Sequence, residues 1–330
     1  MAKSESERVA DARVLVIFPG ALGDLVCLVP ALRALARRHR GAALELMARE
    51  ELARFAVNRI GFEQSRIARG HSIDWREVAA LFAEDPGLAD AARFFRPFSR
   101  IYSFFACDDA RFRRGLEAAA SPGAVSFHAF RPTSDGHVAA AYLDEIGESP
   151  AAPRGVPDAR LDVLPCDIGE ARRALARLGL ENRRVVVLFP GSGAAYKNWP
   201  AENFTALSDL LPAWLQPLVV IGPAELSIER LFIASGIARL GDQPLGTVAG
   251  LAHLAAGFVG NDSGVSHLAA AAGAPGVVIF GPTKPERWRP LGRVRVLRIP
   301  RLADLTPAEV AAALLESTAR SKFEAARSRR

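Results

Sequence analysis

The alternation of two kinds of segment constrains the fold of this chain more than any other feature. Short runs of β-branched and aromatic residues, such as RVLVIF (13–18) and VVVLFP (185–190), alternate with segments in which apolar residues recur every three or four positions, such as LVPALRALARRH (28–39). The first pattern predicts strands and the second predicts helices. Because strand–helix alternation is typical of βαβ units, we expect an α/β protein with parallel sheets.

The alternation is interrupted once, which predicts two domains. Residues 148–160, ESPAAPRGVPDAR, carry three prolines and no apolar period, as in a linker. We therefore predict Rossmann-like domains at 1–155 and 156–330, and 330 residues suffice for two cores. Further strands are predicted at 44–48, 100–105, 124–130, 218–222, 258–262 and 276–281. The final helix, 306–320, has Thr306 as its N-cap and Pro307 at its first position, and it is a candidate for packing back on the first domain.

Composition narrows the class of protein. Three cysteines lie far apart with no CxxC pair, and the polar start MAKSESERVADAR is not a signal peptide, so we expect a cytoplasmic protein with reduced thiols. Residues 263–283 contain no Asp, Glu, Lys or Arg, but their glycines and prolines favour helix–turn–strand over a membrane span.

The formal charge of +6 is concentrated at one end. Residues 320–330 hold five basic residues and one acidic residue. This tail is either a solvated terminus or a segment attracted to an anionic membrane surface, which would make the protein peripheral on the inner membrane. Basic residues interleaved with aromatics across a body surface are missing from the sequence, so we expect no nucleic-acid partner.

The first strand ends in a glycine-containing loop, VLVIFPGALGDLVCLVPAL. Ligands in open α/β sheets bind beyond the carboxyl ends of the strands, so Asp24 is well placed to contact one. The alternative is that Asp24 only caps the following helix. The loop lacks GxGxxG, so we do not expect NAD(P).

Two loops of the second half of the sequence favour the binding of an anion. In LFPGSGAAYKNWP, the Gly-Ser-Gly around Ser192 can present backbone N–H groups, and Lys197 follows. In GNDSGVSHL, Ser263 and Gly264 lie where a helix begins, and helix N-termini bind phosphate. His267 is four residues from Ser263, on the same face.

Two carboxylates accompany these loops. Asp262 would repel a phosphate, so we expect it to orient His267 or to fix the loop. A hydrolase triad of Ser263, His267 and Asp262 is disfavoured because no GxSxG elbow is present and no base comes from a separate element. Glu225 follows the strand in VVIGPAELSIERL, where it is either a solvated acid or a ligand for a ribose diol.

Taken together, these loops resemble those of the family 9 glycosyltransferases, the heptosyltransferases of lipopolysaccharide core assembly. The matching stretches are PGALGDLVCLVPAL, FPGSGAAYKNWPAENF, GPAE and GNDSGVSHLAAAAGAPGVVIFGPTKPERW. The resemblance implies a GT-B fold, in which two Rossmann-like domains face a central cleft, with the acceptor on the first and the nucleotide sugar on the second. Residues 60–145 match only vaguely.

The resemblance also implies a role for each motif residue. Asp24 matches the catalytic base. The expected contacts of the donor diphosphate are Lys197, Ser263, Gly264, His267 and Ser192, and the expected organisers of the donor site are Glu225 and Asp262. Two departures stand out: Phe18 replaces an arginine common in the family, and Cys27 a histidine.

We therefore predict inverting transfer of a heptose from ADP-heptose to a lipid-linked core saccharide. No cofactor is expected and no metal, since Asp108–Asp109 lacks the Asp-x-Asp form. Two alternatives stay open. A nucleotide-sugar 2-epimerase would use water in place of the acceptor, and a non-catalytic relative would bind nucleotide sugar or lipid without turnover, for which Phe18 is the argument.

Overall fold

The computed structural model describes residues 12–62, 65–83, 88–148, 157–222, 225 and 228–327. The chain divides into two compact units, Met1–Pro157 and Asp158–Arg330. Most of the predicted linker (149–156) and the side chains of the basic tail (320–330) lie outside the described residues.

The first unit is a five-stranded parallel sheet with helices on both faces, in the order β5-β2-β1-β6-β7. Its strands are β1 (Arg13–Ile17), β2 (Ala43–Ala48), β3 (Gly61–Phe62), β4 (Ser65–Arg66), β5 (Arg69–Ser72), β6 (Arg100–Ser103) and β7 (Val125–Phe127), of which β3 and β4 form a separate antiparallel pair. Its helices are α1 (Leu22–Arg38), α2 (Glu50–Ala56), α3 (Arg76–Ala79), α4 (Leu88–Phe95), α5 (Ala110–Ala119) and α6 (Val138–Glu145). Strand order reverses between β1 and β6, so the ligand crevice expected of such a sheet lies at the loops after these strands.

The second unit is a six-stranded parallel sheet in the order β10-β9-β8-β11-β12-β13. Its strands are β8 (Arg184–Phe189), β9 (Leu215–Ile221), β10 (Ala238–Gly241), β11 (Gly257–Asn261), β12 (Gly276–Phe280) and β13 (Val294–Arg298). Its helices are α7 (Pro165–Arg177), α8 (Ala201–Asp209), α9 (Glu229–Ala234), α10 (Leu245–Leu254), α11 (Gly264–Ala271), α12 (Pro285–Trp288) and α13 (Pro307–Arg327). Here the order reverses between β8 and β11, which is the Rossmann pattern.

The predicted α/β class with two parallel sheets is confirmed. Central strands such as β8, RVVVLF, are buried from the second residue onward, because helices cover both faces. All eight predicted strands are present, with ends that differ by a few residues. The short antiparallel pair of β3 and β4 was not predicted, and neither were β5, β10 and β13 of the two parallel sheets. These last three form edges of the two sheets and carry exposed arginine or glycine in place of continuous apolar residues.

Two local predictions are also confirmed. Residues 263–283 form a helix, a turn and a strand, and no described helix is both long and apolar enough to span a membrane. Thr306 and Glu309 close a capping box at the start of α13, in which Glu309 N donates to Thr306 Oγ1 (3.3 Å) and Thr306 N to Glu309 Oε2 (2.9 Å). The described part of α13 packs on α8, β11, β12 and β13, and its packing on the first unit stays a prediction.

A buried ionic cluster joins three strands of the first sheet. Glu45 on β2 is 1% exposed and accepts hydrogen bonds from Arg13 Nε (2.7 Å) on β1 and from His71 Nε2 (2.6 Å) on β5. Burial opposes ionisation, but the hydrogen bonds and charges of His71 and Arg13 outweigh it and lower the pKa of Glu45 to about 2. Because this lies below its ordinary value of 4.5, the cluster stabilises the fold above that pH and loses its effect as the pH falls toward 2.

We expect Glu45→Gln to lower the free energy of unfolding at pH 7 by roughly 1.5–3 kcal/mol, the range for hydrogen bonds to a charged group. The difference from wild type should shrink below about pH 4.5. Urea titrations from pH 7 to pH 3 measure it, with Glu170→Gln, an exposed partner of Arg173, as the control. A deficit that does not change with pH, or one matched by the control, would contradict this account.

Candidate donor and catalytic site

A buried asparagine joins the two loops at the switch point of the second sheet. Asn261, the last residue of β11, is fully buried. Its Nδ2 donates to the carbonyl of Pro190 (2.7 Å), and its Oδ1 accepts from the backbone N–H of Trp199 (3.0 Å). Both ends of the loop that carries Lys197 are thereby fixed to β11.

Asp262 gathers the neighbouring loops through its carboxylate. Its Oδ2 accepts from Lys197 Nζ (3.0 Å) in the loop after β8 and from Thr283 Oγ1 (2.8 Å) in the loop after β12. Asp262 is 7% exposed, whereas the Lys197 side chain is 25% exposed. The ammonium group is therefore held at the surface by a buried anion, and through these two bonds Asp262 joins the loops after β8 and β12.

Helix α11 begins directly beyond Asp262. Ser263 is its N-cap in an extended conformation and makes no side-chain capping bond. Its Oγ instead lies 3.2 Å from Ser266 Oγ, which donates to the carbonyl of Asn261 (2.7 Å). His267 is buried one turn along, and its backbone N–H donates to the Ser263 carbonyl (3.3 Å). Gly264 and Val265 are the first two residues of the helix and precede its first intrahelical hydrogen bond, so their N–H groups have no acceptor within the helix and carry partial positive charge.

Glu225 lies against the loop after β8. Its Oε2 accepts from the backbone N–H of Gly222 (2.8 Å), and a Cβ atom at Gly191 would overlap its carboxylate. A side chain at position 191 would therefore have to displace the Glu225 carboxylate. Ser192, the next residue, donates through Oγ to the carbonyl of Ala194 (2.8 Å), which shapes the turn before Lys197.

In the first unit, Asp24 occupies the corresponding place beyond β1. It is the third residue of α1, half-buried, and its Oδ2 accepts from the backbone N–H of Ala21 (3.1 Å). Asp24 therefore does cap the helix, and its role as a base stays a prediction. A carboxylate has two oxygens and about four acceptor sites, so a capping bond does not by itself exclude a role as a base.

The structure brings the candidate site residues of the second unit together at the carboxyl ends of the strands of one sheet. Ser192 and Lys197 follow β8, Glu225 follows β9, and the others lie where β11 meets α11. The sequence interpretation missed the role of Asn261, although a polar residue ending the buried run FVGN was a usable signal. Within the described residues, no group of three or more His, Cys, Asp or Glu side chains could hold a metal ion.

Comparisons with known proteins give the class of this fold. The structure is similar to a glycosyl transferase family 9 protein of Veillonella parvula (TM-score 0.76, 16% identity, covering 94% of this chain and 97% of the other). It is also similar to the E. coli ADP-heptose lps heptosyltransferase II (TM-score 0.72, 19% identity, covering 94% of this chain and 99% of the other). A third similar structure is the E. coli heptosyltransferase WaaC with ADP (TM-score 0.66, 19% identity, covering 93% of this chain and 99% of the other). A comparison with curated protein sequences found no match. The two doubly wound units thus define a protein of the GT-B class.

The family follows from a sequence model. The model of glycosyltransferase family 9 (heptosyltransferase) matches residues 110–300, more than half of the chain. The chain belongs to this family and is a glycosyltransferase, as its motifs predicted. The matched region includes all the second-unit candidates and begins beyond Asp24.

We expect Asn261→Ala to destabilise the protein, because it leaves the Trp199 N–H and the Pro190 carbonyl without a partner. Each unsatisfied buried group costs about 1–3 kcal/mol. Urea unfolding measures the loss, and Ser192→Ala, which removes a bond within one turn, serves as the control. Equal stability of the two variants would show that Asn261 does not hold the loop.

Proposed function

We propose that the protein transfers a heptose from ADP-heptose to the lipopolysaccharide core or a related lipid-linked saccharide, with inversion at the anomeric carbon. The observation that carries the proposal is the Lys197–Asp262 pair beside the N-terminus of α11, at the switch point of a family 9 glycosyltransferase. Relatives of similar structure include an ADP-heptose lps heptosyltransferase and a heptosyltransferase with ADP, which supports this choice of donor.

The donor diphosphate binds where positive charge is concentrated. The first N–H groups of α11, beginning at Gly264, point toward it, and Ser263 and Ser192 supply hydroxyl groups. Lys197 has three N–H donors, so it can bond the diphosphate while keeping its bond to Asp262. His267 adds a donor one helical turn further on.

Glu225 recognises the donor ribose. One carboxylate oxygen already accepts the Gly222 N–H, which fixes the orientation of the group. The remaining acceptor sites suit a pair of neighbouring hydroxyls, as in dinucleotide-binding folds.

Asp24 is the general base. It takes the proton of an acceptor hydroxyl while that oxygen forms a bond to the anomeric carbon. The bond from this carbon to the diphosphate oxygen breaks on the opposite face, and its electron pair leaves with ADP. Lys197, His267 and the helix N-terminus stabilise the charge that grows on the leaving diphosphate. We propose that no metal ion or other cofactor takes part.

The proposed acceptor fixes where the reaction occurs. A lipid-linked saccharide lies at a membrane surface, so we propose that the protein works in the cytoplasm as a peripheral protein on the membrane face. Five basic residues against one acidic residue in 320–330 would favour an anionic surface.

We expect Lys197→Ala and His267→Ala to weaken ADP binding by about ten- to a hundredfold each, since charge-assisted hydrogen bonds contribute roughly 1.5–3 kcal/mol. Calorimetric titration with ADP measures this, alongside the melting temperature of each variant. Arg184→Ala is the matched control, because Arg184 lies at the opposite end of β8. Wild-type affinity in both site variants would place the diphosphate elsewhere.

We expect Asp24→Asn to lower kcat by about 10²–10⁴-fold while ADP affinity and melting temperature stay near wild type. Asparagine can still accept the Ala21 N–H, so the cap survives while the base is lost. The control is Asp109→Asn on the neighbouring loop, since Asp109 caps α5 by accepting from Arg111 N (2.8 Å). If Asp24→Asn kept turnover as the control does, Asp24 would be only a cap.

A further inference from the structure

The side chain of Phe18 is enclosed by aromatic rings at the end of β1. It is fully buried and makes edge-to-face contacts with Phe104 (5.8 Å between ring centroids), Phe130 (5.5 Å) and Tyr142 (5.6 Å). These rings come from the end of β6, from the loop after β7 and from α6. Edge-to-face packing on three sides fixes both the position and the tilt of the Phe18 ring.

The free edge of this ring lies directly beneath Gly20. An ideal Cβ atom at Gly20 would overlap Phe18 Cε1 and would lie 2.8 Å from Cζ. The same atom would lie 2.7 Å from Asp24 Cβ. The Phe18 ring and the Asp24 side chain therefore share the space on one side of Gly20, where a larger residue would have to displace one of them.

The contact at Gly20 continues to the carboxylate of Asp24. The peptide that follows Gly20 carries the Ala21 N–H, which donates to Asp24 Oδ2 (3.1 Å). A shift of Gly20 toward the ring would move this donor and turn the carboxylate with it. The chain of contacts thus runs from Phe18 through Gly20 and Ala21 to Asp24.

We propose that Phe18 is a positioning residue, whose buried ring fixes Gly20 and thereby the direction in which the Asp24 carboxylate points. The inference rests on the proposed role of Asp24 as the base. Catalysis depends on the placement of reacting groups to within about 1 Å, so a residue that never touches substrate can control the rate. In this proposal, the packing of Phe18 holds the loop of Asp24 in place where many family members carry an arginine.

The test compares two substitutions of Phe18 that differ in the length of the new side chain. Phe18→Leu removes the ring edge beneath Gly20, whereas Phe18→Met keeps an apolar chain long enough to reach it. We expect Phe18→Leu to lower kcat by about ten- to a hundredfold, with little change in the KM for the donor. Phe18→Met should recover most of the lost rate. Initial rates with ADP-heptose and a core acceptor measure both.

Two controls separate positioning from folding and from the proposed function. Phe95→Leu alters an equally buried ring in the core on the other face of the same sheet, so it should lower the melting temperature with kcat near wild type. The inference is wrong if Phe18→Leu keeps wild-type kcat, if Phe18→Met is no faster than Phe18→Leu, or if Phe95→Leu is as slow. Should Asp24→Asn remain active in parallel, the proposed base fails and the inference fails with it. If only Asp24→Asn is inactive, the base stands and the role of Phe18 is refuted.

Discussion

The buried amide of Asn261 is the interaction on which the candidate donor site depends. It pairs with one backbone group on each side of the loop that carries Lys197, at Pro190 and Trp199. The backbone carbonyl of Asn261 accepts from Ser266 Oγ. Inside a protein, polar groups of this kind are costly to leave unpaired, so the loop has little freedom to adopt another arrangement. The position of the Lys197 ammonium, and of every proposed phosphate contact beside it, follows from this constraint.

In both proposed catalytic regions, a hydrogen bond with a neighbouring group in the structure holds the charged side chain. Asp262 holds Lys197 from the buried side, and the Ala21 N–H holds Asp24 while Gly20 is pressed against the Phe18 ring. Groups fixed before the substrate arrives need no reorganisation during the reaction, which is the condition for strong electrostatic stabilisation of a transition state. A helix cap and a general base are therefore compatible roles for Asp24, because fixing one oxygen orients the other.

The central strands and the motifs at their ends could be predicted from the sequence. The edge strands, and the partner that each site residue contacts, could not. A continuous apolar run predicts strand β8, and the glycines beyond this run predict the loop that carries Lys197. Strand β13, VRVLR, lies at a sheet edge and alternates with arginines, so its apolar signal is weak. The pairing of Lys197 with Asp262 spans 65 positions of sequence and depends on the crossover that places β11 beside β8. No local pattern encodes such a contact.

In the proposed reaction, a sugar leaves ADP and reaches a saccharide hydroxyl in one displacement. The measurement that tests it most directly is NMR analysis of the product formed from ADP-heptose and a lipopolysaccharide core acceptor. The account predicts one new glycosidic bond whose anomeric configuration is opposite to that of the donor, with ADP released in equal amount. Retention of configuration, or release of ADP with no glycosidic product, would contradict it.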